Sequence, residues 1–274
     1  MTKQKKKILV IAKAVPEPSK THGDSVCTAG ITEEGEFIRI YPVPFRIFCG
    51  EQRFSRYDWI EVECERKETD NRKESHEIDH NSIKKCGEID TSNRWKRRND
   101  IIFPLCSKNL NELLKEFKQN STSIGIVKVK ELIDFYIDPE KDKEPRESTK
   151  AFQCIFDQDP DNSSILKKIP KIQHSPHKYR YRFRCEGEEN EHNIICEDWE
   201  LFECERRWIY KYDTKEELWE KIHQKFYTYF KEKCDLHFII GTHFLYKTPM
   251  IIGVYYPPKD PRKIVSLDSG RWGT

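Results

Sequence analysis

The sequence has no long hydrophobic run. No stretch of its 274 residues approaches the roughly 20 apolar residues that a membrane-spanning helix needs. The basic start MTKQKKKILVIAKAV has the charged beginning of a signal peptide, but its apolar stretch is short, contains Lys13 and lacks a small-residue cleavage site. We therefore expect a cytoplasmic protein without a membrane partner, and we predict that residues 8–15 form the first strand.

The chain also has little net charge and few glycines. The chain has 49 Lys and Arg against 47 Asp and Glu, a formal net charge of +2, so any nucleic-acid partner must be recognised by local clusters of bases. Only 11 residues are glycine, and there is neither a Gly-rich phosphate loop nor a Gly-x-Ser-x-Gly motif. These absences argue against the common nucleotide-binding loop and the hydrolase nucleophile elbow. No internal repeat is visible.

Aromatic residues and cysteines are abundant. The 15 Phe, 12 Tyr and 6 Trp predict an aromatic core. Charged residues make up 35% of the chain and hydrophobic residues 36%, which indicates a folded protein with a highly charged surface. Ten cysteines without a secretion signal indicate reduced, largely buried thiols, as in cytoplasmic proteins.

Alternating apolar and polar residues predict a chain rich in strands. Residues 26–43 read as a hairpin around a compact loop that contains Gly35, and further strands are predicted at residues 58–65, 123–137, 236–241 and 249–256. Helical spacing is found at residues 109–118. The strongest helix signal is a capping box, Thr214 with Glu217, which precedes Leu218, Ile222, Phe226 and Phe230.

This order of elements predicts an α+β fold of two β-rich lobes, with short mixed or antiparallel sheets and one long amphipathic helix in the second lobe. We assign residues 1–138 to an N-terminal lobe with a polar insertion at about residues 68–100. A charged segment with two prolines, residues 139–149, is the predicted linker. Residues 150–274 form the predicted C-terminal α+β lobe.

The stretch KYRYRFR, residues 178–184, separates rings from bases. On a strand, the rings of Tyr179, Tyr181 and Phe183 share one face, and the other face carries Lys178, Arg180, Arg182 and Arg184. These bases would be spaced by about 6.5–7 Å, comparable with phosphates along a nucleic-acid strand. Alternatively, the rings are core and the bases face water, paired with Glu side chains of a neighbouring strand. If the rings are core, an aromatic platform for bases must come from other residues.

Two further clusters combine bases with rings or prolines. Trp95 lies among bases in RWKRR and can either stack on a nucleobase or anchor its loop. Arg39 and Arg46 flank a proline-containing turn. We therefore predict a nucleic-acid-binding protein, for DNA or RNA, that uses a basic surface between its lobes. Its predicted binding residues are Arg39, Arg46, Arg94, Trp95, Arg97, Arg98, Lys178, Arg180, Arg182 and Arg184.

The segment CEGEENEHNIIC offers ligands for Zn²⁺. Thiolate and imidazole are suitable zinc ligands, and a hairpin can bring Cys185 close to His192 or Cys196. The paired cysteine spacing of a zinc ribbon is absent, so a fourth ligand such as Cys204 would have to come from elsewhere.

Two alternative functions belong to other classes. In the first, Asp198 and Glu200 hold Mg²⁺ and act with His192 as a metal-dependent phosphodiesterase or nuclease. This requires a strand, since the shared face of the two carboxylates is lost if the segment is helical. In the second, the protein is an interaction or assembly subunit whose charged surface contacts a protein partner.

Overall fold

The protein is described by a computed structural model over residues 3–19, 23–45, 50–139, 177–244 and 246–260. Over these residues the fold is α+β, with two β-rich sheets and few helices, which confirms the predicted fold class. Arg46 and nearly all of the predicted linker lie outside the described residues. Within the described ranges, none of the helices combines the length and apolar character that a membrane crossing requires.

Among its described residues, the first lobe contains seven strands, one α-helix and short 3-10 helices. The strands and the α-helix are β1 (Gln4–Lys13), β2 (Glu17–Ser19), β3 (Gly23–Thr32), β4 (Phe37–Val43), β5 (Asp58–Arg66), β6 (Ser75–Ile78), β7 (Lys84–Glu88) and α1 (Ser92–Ile102). Five of the strands close into a ring, in the order β1, β3, β4, β6, β5 and back to β1. All neighbours in this ring are antiparallel except β4 and β6.

The described part of the second lobe contains six strands and most of the helical residues. The elements are β8 (Cys106–Ser107), α2 (Leu110–Asn120), β9 (Ile124–Ile137), β10 (Tyr179–Cys185), β11 (Glu191–Cys196), α3 (Trp199–Trp208), α4 (Lys215–His223), a π-helical segment (Gln224–Tyr229), α5 (Phe230–Lys233), β12 (His237–Thr242) and β13 (Pro249–Tyr255). Here too five strands close into a ring, in the order β9, β10, β11, β13, β12 and back to β9. Only β11 and β13 are parallel in it.

The two rings have the same connectivity. In each ring the first strand pairs with the second and fourth, the second pairs with the third, and the third and fifth are parallel neighbours. This repetition was not predicted. The connections differ in content. The link from third to fourth strand carries α3, α4, the π-helical segment and α5 in the second lobe, whereas the described part of the corresponding first-lobe link includes the short 3-10 helix Gly50–Gln52.

Strand alternation sorts the core into three clusters. In β1, Ile8 and Val10 point into the first ring, whereas Leu9 and Ile11 point towards the second lobe. Aromatic side chains dominate the core between the second ring of strands and its helices, as in Phe135, Tyr181, Phe183 and Phe238. The third cluster lies between the lobes and joins Leu9, Ile11, Ala29 and Ile31 to Ile124, Ile126, Ile239 and Ile252. The first strand is therefore buried on both faces.

The long amphipathic helix is present in the second lobe. Thr214 caps it, its side chain accepting a hydrogen bond from the Glu217 backbone N–H, and α4 continues through the π-helical segment into α5. The predicted face is buried against the ring through Leu218, Ile222, Phe226 and Phe230. The predicted N-cap at Thr214 and the predicted buried face are confirmed.

Two segments are organised differently from the sequence-based description. Residues 68–100, which were predicted to be a polar insertion, carry β6, β7 and part of α1. Both strands form because their backbone groups hydrogen-bond to β5. The chain passes from the first sheet to the second between Glu88 and Cys106. The strand β9 thus belongs to the second ring, held by the non-local partners β10 and β12.

Candidate functional site at the junction of the lobes

The rings of KYRYRFR are core. Tyr179, Tyr181 and Phe183 on β10 are all 0% exposed, as strand alternation predicts. Tyr181 also donates its hydroxyl proton to the Phe226 carbonyl oxygen at 3.0 Å. These rings therefore cannot stack on a nucleobase.

The bases of KYRYRFR face acidic groups on both neighbouring strands. Arg182 Nε lies 2.6 Å from Glu191 Oε1 on β11, and Arg184 Nη1 lies 2.5 Å from Glu131 Oε2 on β9. Arg180 is 3.4 Å from the Asp138 carboxylate and also donates to Asn193. The arginines of β10 therefore face the acidic side chains expected if they are surface residues paired with neighbouring strands. Lys178, immediately before β10, is partly buried.

Arg39 is buried at the junction of the lobes. It is 3% exposed, its Nη2 donates to the Ser123 carbonyl oxygen at 3.0 Å, and its Nη1 donates to Cys27 Sγ at 2.9 Å. Glu74 accepts hydrogen bonds from the backbone N–H and hydroxyl of the same Ser123. Arg39 joins the lobes and cannot reach a polyanion in this position.

Trp95 anchors its segment. Its ring lies 5.5 Å from that of Tyr255 and 5.2 Å from that of Tyr256, so the first lobe is fastened to the end of β13. Arg98 stacks 3.9 Å from the Tyr57 ring centroid and donates to the Ile89 carbonyl oxygen. In this cluster Arg94, which pairs with Asp260, Lys96, which pairs with Asp100, and Arg97 remain exposed.

Asp198 and Glu200, in the second lobe, both form ion pairs with Arg56 of the first lobe. Asp198 caps α3: its Oδ1 accepts from the Glu200 N–H, and its Oδ2 accepts from Arg56 at 3.0 Å and from the Val254 N–H at 2.8 Å. Burial raises the pKa of the Asp198 carboxyl, while Arg56 opposes that shift. Since α3 begins at Trp199, the strand that the Mg²⁺ alternative required is absent here.

His192 is not part of that group. It lies near the start of β11, and Asp198 follows the end of the same strand. Its Nε2 pairs instead with Glu188 Oε1 at 2.5 Å. The three residues of the phosphodiesterase alternative are therefore not brought together.

The amine of Lys13 lies among aromatic rings, close to the ion pairs of Arg56. Lys13 Nζ is 4.1 Å from the Phe45 ring centroid and 5.4 Å from that of Trp199. Burial lowers the pKa of Lys13 to about 8, against the opposing influence of Glu200. This arrangement joins the first lobe to α3 and leaves an amine that is partly neutral near physiological pH.

The most exposed aromatic side chains at the junction lie in the β12–β13 connection. Phe244 is 47% exposed and Tyr246 is 74% exposed. The His243 ring stacks 4.9 Å from that of Tyr246, and Lys247 Nζ lies 5.6 Å from the Phe244 ring centroid. The sequence THFLYKT carries the signal for this site, namely two rings and a base in a polar link between apolar strands, but sequence reasoning missed it.

The β5–β6 connection, which occupies the corresponding place in the first ring of strands, contacts this loop. Arg72, in the β5–β6 connection, lies 5.3 Å from the Phe244 ring centroid and donates to the Thr242 carbonyl oxygen at 2.9 Å. Its guanidinium is fixed by Asp70 at 2.6 Å, and the hydrogen bonds from Arg72 and Ser75 keep the pKa of Asp70 low despite burial. Lys73 follows and is exposed. We call Arg72, Lys73, Phe244, Tyr246 and Lys247 the aromatic–basic loop cluster.

Comparison with known families divides the chain at the place where it changes sheets. Residues 4–104 match one family model, Domain of unknown function (DUF8758), and residues 107–269 match another, Domain of unknown function (DUF8757). The second match covers more than half of the chain. The chain belongs to the DUF8757 family. No curated protein matches it.

The aromatic–basic loop cluster draws on both matched segments. Arg72 and Lys73 lie in the DUF8758 segment, while Phe244, Tyr246 and Lys247 lie in the DUF8757 segment. The cluster therefore exists only where the two segments are joined.

Proposed function

We propose that this protein binds single-stranded nucleic acid at the aromatic–basic loop cluster. The observation that carries the proposal is the exposure of Phe244 and Tyr246, at 47% and 74%, together with the approach of Arg72 from the first lobe and Lys247 from the second to the Phe244 ring. Binding modules for single strands combine these two components, since rings stack on bases and cations follow the phosphates.

The neighbouring charges favour this surface over the arginine row. Lys73 and Lys247 are exposed, and Arg72 is held with one face against the Phe244 ring. On β10, Arg182 and Arg184 have carboxylate partners that a phosphate would have to displace. Arg72 is likewise paired with Asp70, so the contrast lies in the exposed amines of Lys73 and Lys247. Unstacked bases can reach two rings on a protruding loop, whereas bases paired inside a duplex cannot, which favours a single strand.

The test is binding of fluorescent single-stranded DNA and RNA oligonucleotides, measured by anisotropy across a salt series. The double variant Phe244→Ala with Tyr246→Ala is expected to bind at least roughly 30-fold more weakly, since stacking contributes about 1–3 kcal/mol per base and two rings are removed. Lys73→Gln with Lys247→Gln is expected to weaken binding and to reduce the salt dependence, because fewer counterions are released.

A matched control is Tyr210→Ala, since Tyr210 is also 74% exposed but lies after α3. It should bind like the parent. A second comparison is Arg182→Gln with Arg184→Gln. If this variant loses affinity while the aromatic double variant retains it, the loop cluster is not the binding surface. If the parent binds neither DNA nor RNA at low salt, the proposed function itself fails.

A further inference from the structure

The β10–β11 hairpin gathers three side chains that are suited to a metal ion. Phe183 pairs with His192 across the hairpin, so Cys185, two residues further along β10, shares the inward face with His192. Gly187 has a φ of +76°, and this left-handed conformation turns the chain so that Glu188 follows on the same side. The hairpin, rather than a distant part of the chain, thus brings the three residues together.

These three residues form a compact and largely buried set. One ligand atom from each of Cys185, Glu188 and His192 lies within 4.8 Å of the others. Cys185 is 0% exposed, and the side chains of Glu188 and His192 are 7% and 11% exposed. Cys196, the other predicted ligand, lies four residues beyond His192 on β11, about 13 Å along the strand.

One oxygen of Glu188 has an unusual position. Oε1 pairs with His192 Nε2, whereas the buried Oε2 accepts no hydrogen bond from an N–H or O–H group in the described part of the chain, and the Cys185 thiol, a weak donor, is the further group that interacts with this carboxylate. Burying a carboxylate oxygen without a donor is costly, and such an oxygen in a native protein calls for a partner. A cation between the carboxylate and the neighbouring thiol would supply that partner.

We propose that Cys185, Glu188 and His192 bind one Zn²⁺ ion. Thiolate, carboxylate and imidazole are the three side-chain ligands that zinc takes in proteins, and the mixed set is less suited to Mg²⁺, which prefers oxygen. Three protein ligands leave a fourth position for water or a bound molecule.

The surroundings support a thiolate. The Leu110 backbone N–H at the start of α2 donates to the Cys185 sulfur, and the N-terminus of this 11-residue helix favours negative charge. Without a cation, burial raises the pKa of Cys185 to about 12, and Glu188 adds to that effect. Zinc must therefore displace a proton, which coordination to a metal achieves outright.

The decisive measurement is titration of metal-free protein with Zn²⁺ against a chromophoric chelator, with Co²⁺ as a spectroscopic probe. The parent is expected to bind one equivalent and to show a thiolate-to-Co²⁺ charge-transfer band. Cys185→Ala should abolish this band. Each of Cys185→Ala, Glu188→Gln and His192→Gln should weaken zinc binding by at least about 100-fold, since outer-shell changes alone cost 10- to 100-fold.

Cys196→Ala is the matched control, since Cys196 is also buried on this hairpin but lies outside the set. It should bind zinc like the parent. Glu188→Gln preserves the shape of its side chain, so circular dichroism of this variant separates a lost ligand from a lost fold. A parent that takes up no zinc, or a Cys185→Ala variant that binds zinc as tightly as the parent, would overturn the proposal. Neither result bears on the loop cluster of β12 and β13.

Discussion

At the scale of single residues, the fold places charged groups where their environment changes their chemistry. Lys13 is the clearest example, because it ends a buried strand and lies against the rings of Phe45 and Trp199. Its pKa of about 8 lies below the ordinary value of 10.5, mainly because burial penalises the ammonium ion. Cation–π contacts and the carboxylate of Glu200 offset only part of that penalty.

We predict that Lys13→Met stabilises the protein at pH 7 by roughly 1–3 kcal/mol, and that this gain shrinks as the pH rises towards 10.5. Between the folded pKa of about 8 and the unfolded value of 10.5, the unfolded chain binds more protons than the folded one, so the Lys13 contribution to the free energy of unfolding increases with pH. Urea unfolding at pH 7 and pH 10 measures the difference.

Lys5→Met provides the comparison for Lys13. Lys5 lies on the same strand, but its side chain is 66% exposed and pairs with Glu61. Its removal should give no gain at pH 7. Equal gains from both variants would mean that the effect does not arise from burial of the Lys13 amine.

At the scale of secondary structure elements, β10 shows which side chains hold a strand in place. We predict that Phe183→Ala destabilises the protein by about 3–5 kcal/mol, because it removes a fully buried ring that packs against Phe238. Arg182→Gln with Arg184→Gln should cost no more than about 1 kcal/mol, since these guanidinium groups are 40% and 39% exposed and water screens their ion pairs. Urea unfolding of the two variants tests this order, and a reversal would show that the ion pairs hold the strand.

Local elements were predictable from sequence because their signals are local. The hairpin of β3 and β4 turns at Gly35, where φ is +81°, and the Thr214 cap begins α4 as predicted. The parallel pairings that close each ring join strands distant in sequence, and the β11–β13 ladder involves only Cys196 and Ile251. Alternation of residue types identifies a strand but not such a partner.

The candidate sites were less predictable from sequence, because the exposure of a side chain and its distance from others depend on non-local structure. Arg39 and Arg182 look alike in sequence, yet Arg39 is buried between lobes and Arg182 lies on an outer sheet face. Cys185 and His192 were named as potential metal ligands, but Glu188 was overlooked because the conformation of the turn is needed to see it. Phe244 and Tyr246 look like core residues until the loop geometry exposes them.

At the scale of the whole molecule, corresponding connections of the two rings meet at the junction. The β4–β5 connection supplies Arg56 and the β11–β12 connection supplies Asp198, while Arg72 from the β5–β6 connection contacts the β12–β13 loop. Both contacts lie beside the shared apolar core of Leu9, Ile11, Ile239 and Ile252. An apolar core and a buried ion pair together make the lobes dependent on each other.

This dependence predicts one cooperative unfolding transition. Trp59 lies in the first lobe, Trp208 and Trp219 lie in the second, and Trp95 and Trp199 lie at the junction, so tryptophan fluorescence and circular dichroism should give coincident urea curves. Arg56→Met should lower the free energy of unfolding by about 3–5 kcal/mol, because it leaves the Asp198 carboxylate buried without its cation.

The double variant Arg56→Met with Asp198→Asn distinguishes the ion pair from general damage to the junction. Removing both charges eliminates the unpaired buried group, so its cost should be smaller than the sum of the two single costs. Both single variants should shift the whole transition rather than that of one lobe, since the pair joins residues 142 positions apart in sequence. Two separate transitions in the parent would contradict the shared core, and additive costs would show that Arg56 and Asp198 stabilise the junction independently of each other.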